Sequence, residues 1–138
     1  MKPLKYPKII LCVDDDPDDR FLLSHAISRI DQAIVFKEAQ HGPKAIEILT
    51  HAKSFGDLPS LIMLDMNMPI MDGIQTFKAI KKDAELSKIP IVVFSTSDRE
   101  EEVSYWKSEN VPMVTKPSGF TELVTCVKSI ISRYLQSE

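Results

Sequence analysis

No apolar run long enough for a signal peptide or a membrane span follows the opening segment Met1–Lys8, which carries three lysines and two prolines. That absence points to a cytoplasmic protein with no membrane partner. Cysteine is scarce as well. Cys12 and Cys126 stand apart, one in an apolar strand-like run and one in a helical pattern. They have neither metal-ligand spacing nor a disulfide framework, so both read as packing residues. Charge of one sign is also lacking: 17 basic and 20 acidic residues are mixed along the chain, for a net charge of -3. There is no basic stripe of the kind that nucleic-acid binding needs. Internal repeats, low-complexity tracts and long linkers are absent. The 138 residues suit one core that buries roughly two thirds of the unfolded surface. The expected layout is a tail over residues 1–7 and one folded unit over 8–138.

What is present is an alternation. Ile9–Val13, Leu61–Leu64 and Ile91–Phe94 are short continuous apolar runs, the pattern of strands buried on both faces of a parallel sheet. Ile34–Glu38 and Val111–Thr115 are weaker strand candidates. Between the runs lie helical spacings: Leu23, Ala26, Ile27 and Ile30; Ala45, Ile46, Leu49 and Ala52; and Leu123, Val124, Val127, Ile130, Ile131 and Tyr134. Asp16 before Pro17 reads as an N-cap followed by proline at the first helical position. Strand and helix repeated five times predict an α/β fold: a doubly wound parallel sheet with helices on both faces and right-handed crossovers. Ligands of such sheets bind beyond the carboxyl ends of the strands, near a topological switch point.

The chemistry-bearing residues stand at those ends. The first strand runs into Asp14, Asp15 and Asp16, and the third into Asp65. On parallel strands these carboxylates crowd one edge, where repulsion is costly without a cation. An oxygen-only set without His or Cys suits Mg²⁺ or Mn²⁺. The fourth strand ends in Ser95-Thr96-Ser97 and the fifth in Lys116-Pro117, bringing a hydroxyl and an ammonium to the same edge. Acid nucleophile, metal, hydroxyl and lysine are the parts that transfer of a phosphoryl group to a carboxylate requires.

These residues resemble the receiver domains of two-component response regulators. The likeness runs from Lys8 to about Leu135. Its most diagnostic stretch is Leu64-Asp65-Met66-Asn67-Met68-Pro69-Ile70-Met71-Asp72-Gly73, with Val13-Asp14-Asp15 and Lys116-Pro117 beside it. The resemblance implies a flavodoxin-like receiver domain with strand order 2-1-3-4-5. It implies Asp65 as phosphoacceptor and metal ligand, Asp15 as a direct metal ligand, Asp14 as an acid acting mainly through metal-bound water, and the backbone carbonyl of Asn67 as a further ligand. Ser95 falls on the switch hydroxyl and Lys116 on the invariant lysine, with a cis Lys116–Pro117 bond expected. Gly73 is expected to free the backbone and Asp72 to cap the next helix. Asn67 and Ser97, two residues past the acceptor and the switch residue, are candidates for setting signal lifetime.

The implied activity is that of a stand-alone switch. It catalyses its own phosphorylation and dephosphorylation but turns over no substrate. Its donor would be a sensor histidine kinase or a histidine phosphotransfer protein, and its output a downstream protein contact or phosphorelay. A monomer or a weak homodimer is expected, the latter through a surface including Tyr134-Leu135. Met113 departs from the pattern, occupying a position where many receivers carry Tyr or Phe. Tyr105 is a candidate exposed anchor, Val103 and Trp106 are spaced for one helix face with Trp106 read as core packing, and His25, His41 and His51 read as solvated. The rival readings are a haloacid-dehalogenase-like aspartyl-phosphate phosphatase, for which Asn67 stands where a second acid is usual, and a degenerate receiver that binds partners without phosphorylation.

Overall fold

The computed structural model describes residues 7–135. Apart from Pro7, the tail expected over residues 1–7 lies outside the described residues. In chain order the elements are β1 (Ile9–Val13), α1 (Pro17–Ile30), β2 (Val35–Ala39), α2 (Gly42–Phe55), β3 (Leu61–Leu64), α3 (Gly73–Lys81), a 3₁₀ turn (Leu86–Lys88), β4 (Ile91–Ser95), α4 (Glu100–Ser108), β5 (Met113–Thr115) and α5 (Phe120–Tyr134). The five strands are parallel and ordered β2-β1-β3-β4-β5, as expected. No helix of the described residues is long and apolar enough to cross a membrane.

The apolar runs are continuous because each of the three central strands is buried along its whole length. Alternate side chains serve opposite faces. Leu11, Val13, Ile62, Leu64, Ile91 and Val93 join one core with residues of α2, α3 and α4. Ile10, Cys12, Leu61, Met63, Val92 and Phe94 join the other with α1 and α5. Cys12 is buried and its thiol is pushed well up, first by burial and then by Asp14; burial also raises Cys126. Both behave as packing residues.

Helix starts follow the local chemistry. Asp16 accepts from the Asp18 and Asp19 N–H groups, and Asp72 with Gln75 forms a reciprocal capping box. His41 differs from the solvated reading: its Nδ1 accepts the Lys44 N–H at 3.1 Å and caps α2. The last strand is shorter than Val111–Thr115, because Val111 ends α4 instead. Asn110 takes a left-handed φ of 58°, and the Val111 N–H donates to the Trp106 carbonyl at 2.9 Å.

On α4 Trp106 meets the core-packing expectation, and Val103 leaves the face the two were expected to share. Trp106 is fully buried, whereas Val103 is 42% exposed; residues three apart diverge by about 60° around a helix, and α4 is short enough for only one to reach the sheet. Tyr105 is half-buried and not an exposed anchor, packed edge-on against Phe77 and Trp106 at centroid distances of 6.4 and 5.1 Å. Trp106→Ala is expected to cost about 3–5 kcal/mol, while Val103→Ala stays within about 1 kcal/mol; urea unfolding of the two variants checks the contrast.

Candidate functional site

The strand order reverses direction between β1 and β3, and the first site residues sit there. Val13 and Leu64 are register partners, so the next residue of each strand, Asp14 and Asp65, lie side by side. Backbone pairing carries through the strand ends: the Asp65 N–H donates to the Val13 carbonyl at 2.9 Å, and the Asp14 N–H to the Ala39 carbonyl at 3.0 Å. On the other side the Lys116 N–H donates to the Ser95 carbonyl at 3.0 Å. The sheet therefore fixes where all four side chains begin.

Asp14, Asp65 and Ser95 are buried, whereas Asp15 is exposed. Asp14, Asp15 and Asp65 each offer a carboxylate oxygen within 4.8 Å of the others. Three convergent oxygen donors, one open to solvent, fit a hard divalent cation that keeps water among its ligands. Asp16, committed to capping, is outside this cluster. Asn67 is exposed in the loop after β3.

The acids are unequal. Asp14 Oδ2 accepts from the Lys116 ammonium at 2.6 Å, and its Oδ1 accepts the Asp16 N–H at 2.9 Å. Asp65 Oδ1 lies 3.8 Å from the same ammonium and accepts the Met66 N–H at 2.9 Å. Burial first, and the neighbouring Asp14 charge second, raise the Asp65 carboxyl from the ordinary 3.8 to about 6, although Lys116 and the Ser95 hydroxyl pull the other way. Burial pushes the Lys116 ammonium down, but its hydrogen bonds to Asp14 and Asp19 outweigh that, and the net direction is up. Asp19 was not among the expected site residues. Its only sequence signal was its place in the first turn of α1, three residues beyond the cap.

The loop after β3 holds the acceptor by close contact. The Gly73 N–H donates to the Met66 carbonyl at 2.9 Å, and a Cβ at Gly73 would lie 2.6 Å from the Asp65 carbonyl oxygen. Glycine is needed there for proximity and not for backbone freedom; the sharp turn falls to Ile70, whose φ is 71°. The Lys116–Pro117 bond is trans, contrary to the cis expectation. The two isomers of such a bond differ by only about 0.5–1 kcal/mol in favour of trans, and in the trans form the lysine already reaches the acids. The Ser95 hydroxyl accepts the Ser97 N–H at 3.2 Å, while the Ser97 hydroxyl donates to Glu102.

A five-stranded doubly wound sheet with acids, hydroxyl and lysine at its switch-point edge defines a phosphoryl-switch class of α/β domain. The profile described as the response regulator receiver domain matches residues 10–128, and the chain belongs to that family. It is 32% identical over 137 residues to the response regulator Rcp1 of Synechocystis, covering 95% of this chain and 91% of that protein. The phosphorylated cyanobacterial phytochrome response regulator RcpA superposes with a TM-score of 0.86 at 29% identity, over 96% of this chain and 97% of that one. The Mn²⁺-bound form of Rcp1 gives 0.79 at 31% identity, with the same coverage. Receiver domains bind divalent metal and work with histidine kinases or histidine phosphotransfer donors.

The raised Asp65 carboxyl has a consequence for stability. Because the folded protein holds this proton more tightly than the unfolded chain, metal-free stability falls as pH rises from about 4 to 6, and the full penalty is present above 6. Asp65→Asn is expected to stabilise the metal-free protein at pH 7 by on the order of 2 kcal/mol, with the advantage shrinking toward pH 4. Thermal unfolding of both proteins across that range, with chelator present, measures it.

Proposed function

We propose that this chain is a stand-alone receiver whose Asp65 accepts a phosphoryl group from a phosphohistidine donor and returns it to water, without turnover of any other substrate. The observation that carries this reading is the position of Asp65. It is a buried carboxylate at the switch point, beside the acid pair Asp14 and Asp15 and 3.8 Å from Lys116. Asp15 and Asp65, with the backbone carbonyl of Asn67, would hold Mg²⁺ or Mn²⁺ directly, and Asp14 would act through a bound water. The ion would neutralise charge on the phosphoryl oxygens.

In the transfer, an Asp65 oxygen forms the new P–O bond as the P–N bond to the donor histidine breaks and its electron pair returns to the imidazole. Lys116 and the Ser95 hydroxyl donate to the nonbridging oxygens, where charge must be balanced. Hydrolysis reverses the modification: water adds to phosphorus, the acyl P–O bond breaks, and inorganic phosphate leaves a free Asp65 carboxylate. Asn67, exposed past the acceptor, and Ser97, engaged with Glu102, flank the water's approach and set its rate. Signalling then proceeds through contact with a downstream protein or onward phosphorelay, from a cytoplasmic monomer or weak dimer whose folded unit begins near residue 8.

Acetyl phosphate, a small donor, tests the assignment. Wild-type protein with Mg²⁺ should acquire one base-labile phosphoryl group, and Asp65→Asn none; a full stoichiometric label on Asp65→Asn would overturn the acceptor. Lys116→Ala should retain Mg²⁺ affinity within about threefold but lose phosphorylation by tenfold or more, measured by metal titration and by mass. The phosphatase alternative predicts instead turnover of a small phosphate ester that Asp14→Asn removes and Asp65→Asn does not.

A further inference from the structure

Lys116 is shared by more acids than the receiver motif requires. Its ammonium has three N–H donors. One is engaged by Asp14 at 2.6 Å and a second by Asp19 Oδ2 at 2.8 Å, while Asp65 stands outside hydrogen-bond reach at 3.8 Å. The lysine side chain is only 11% exposed, so these bonds are made where water competes poorly. The third N–H is free, but while both pairs hold they fix the ammonium 3.8 Å from Asp65, and moving it toward a phosphoryl oxygen there stretches one of them.

The two partners are not equivalent. The side chain of Asp14 is 5% exposed, its second oxygen holds the Asp16 N–H, and its backbone carbonyl accepts from Arg20 Nη1 at 2.7 Å. Arg20 is in turn fixed by Glu38 at 2.7 Å. Asp19, in the first turn of α1, has a side chain 36% exposed, so water can replace the lysine when the pair opens. Breaking the pair with Asp14 would strand a buried charge; breaking the pair with Asp19 would not.

We infer that Asp19 is a positioning residue for the phosphoryl switch: it holds Lys116 away from the unmodified acceptor and competes with the phosphoryl group for that ammonium. The inference rests on Asp65 being the acceptor. Asp19 thereby sets the balance between the two states through a charge-assisted hydrogen bond that exists in only one of them. Removing its charge favours the phosphorylated arrangement, since Lys116 no longer gives up a partner to reach it.

Beryllofluoride with Mg²⁺, a stand-in for the phosphoryl group on a carboxylate, supplies the test. Asp19→Asn should bind it roughly threefold to tenfold more tightly than wild type, and Asp19→Glu should return toward the wild-type affinity. Separately, in metal-free protein, Asp19→Asn should lower the melting temperature when Lys116 is present and much less in a Lys116→Met background. A purely structural role for Asp19 at the start of α1 would give the same loss in both backgrounds. Unchanged or weaker beryllofluoride binding by Asp19→Asn, beside normal wild-type binding, overturns the role of Asp19 alone. Equal binding by wild type and Asp65→Asn overturns the acceptor, and the positioning role falls with it.

Discussion

One ammonium stands against several carboxylates at the edge where two central strands end. Lys116 bonds to Asp14 and Asp19 and lies within ion-pair range of Asp65. Without it, burial of Asp14 and Asp65 side by side would leave like charges facing each other in a medium that screens them poorly. With it, the edge is neutralised in part, and the remainder is held by Asp65 as a carboxyl reluctant to ionise. A site in that condition gains from anything that brings positive charge to it. This is the physical sense in which the metal-free edge is prepared for a divalent cation.

The fold meets the cost because its rigidity lies directly beneath. β1, β3 and β4 are buried throughout, and backbone hydrogen bonds extend through Asp14, Asp65 and Lys116. None of the three can retreat without breaking sheet pairing. The Gly73 contact closes the acceptor loop from the other side, where any Cβ would meet backbone. Mobility is thereby left to side chains, chiefly the long one of Lys116 and the small one of Ser95.

Met113 replaces the aromatic common in receivers, and its surroundings show where the aromatic mass has gone. Half-buried Met113 packs against the core that contains Trp106, Phe77 and Tyr105. The Trp106 Nε1–H points at the Met66 sulfur at 3.1 Å, and Met66 is the residue whose N–H binds Asp65. The contact between the acceptor loop and α4 in this chain therefore runs through tryptophan and methionine, with a flexible thioether at the junction.

Much of this was legible in the residues themselves. Continuous apolar runs ending in acids, hydroxyls and lysine determine the parallel sheet, the edge that carries the chemistry, and the set Asp14, Asp15, Asp65, Ser95 and Lys116, because strand period and end chemistry are local properties. Caps such as Asp16 and Asp72 were legible for the same reason. Trp106 as core packing was legible too; that Val103, spaced for the same face, stays outside was not, since helical spacing admits both and only packing against the sheet selects one. His41 as a cap, the trans bond at Lys116–Pro117 and the close approach at Gly73 likewise depend on atoms brought near from elsewhere. Above all, the pairing of Asp19 with Lys116 joins residues 97 positions apart. Sequence determined which charges this protein carries to one edge; only the tertiary structure decided which of them hold one another, because electrostatic pairing depends on distance through space and not along the chain.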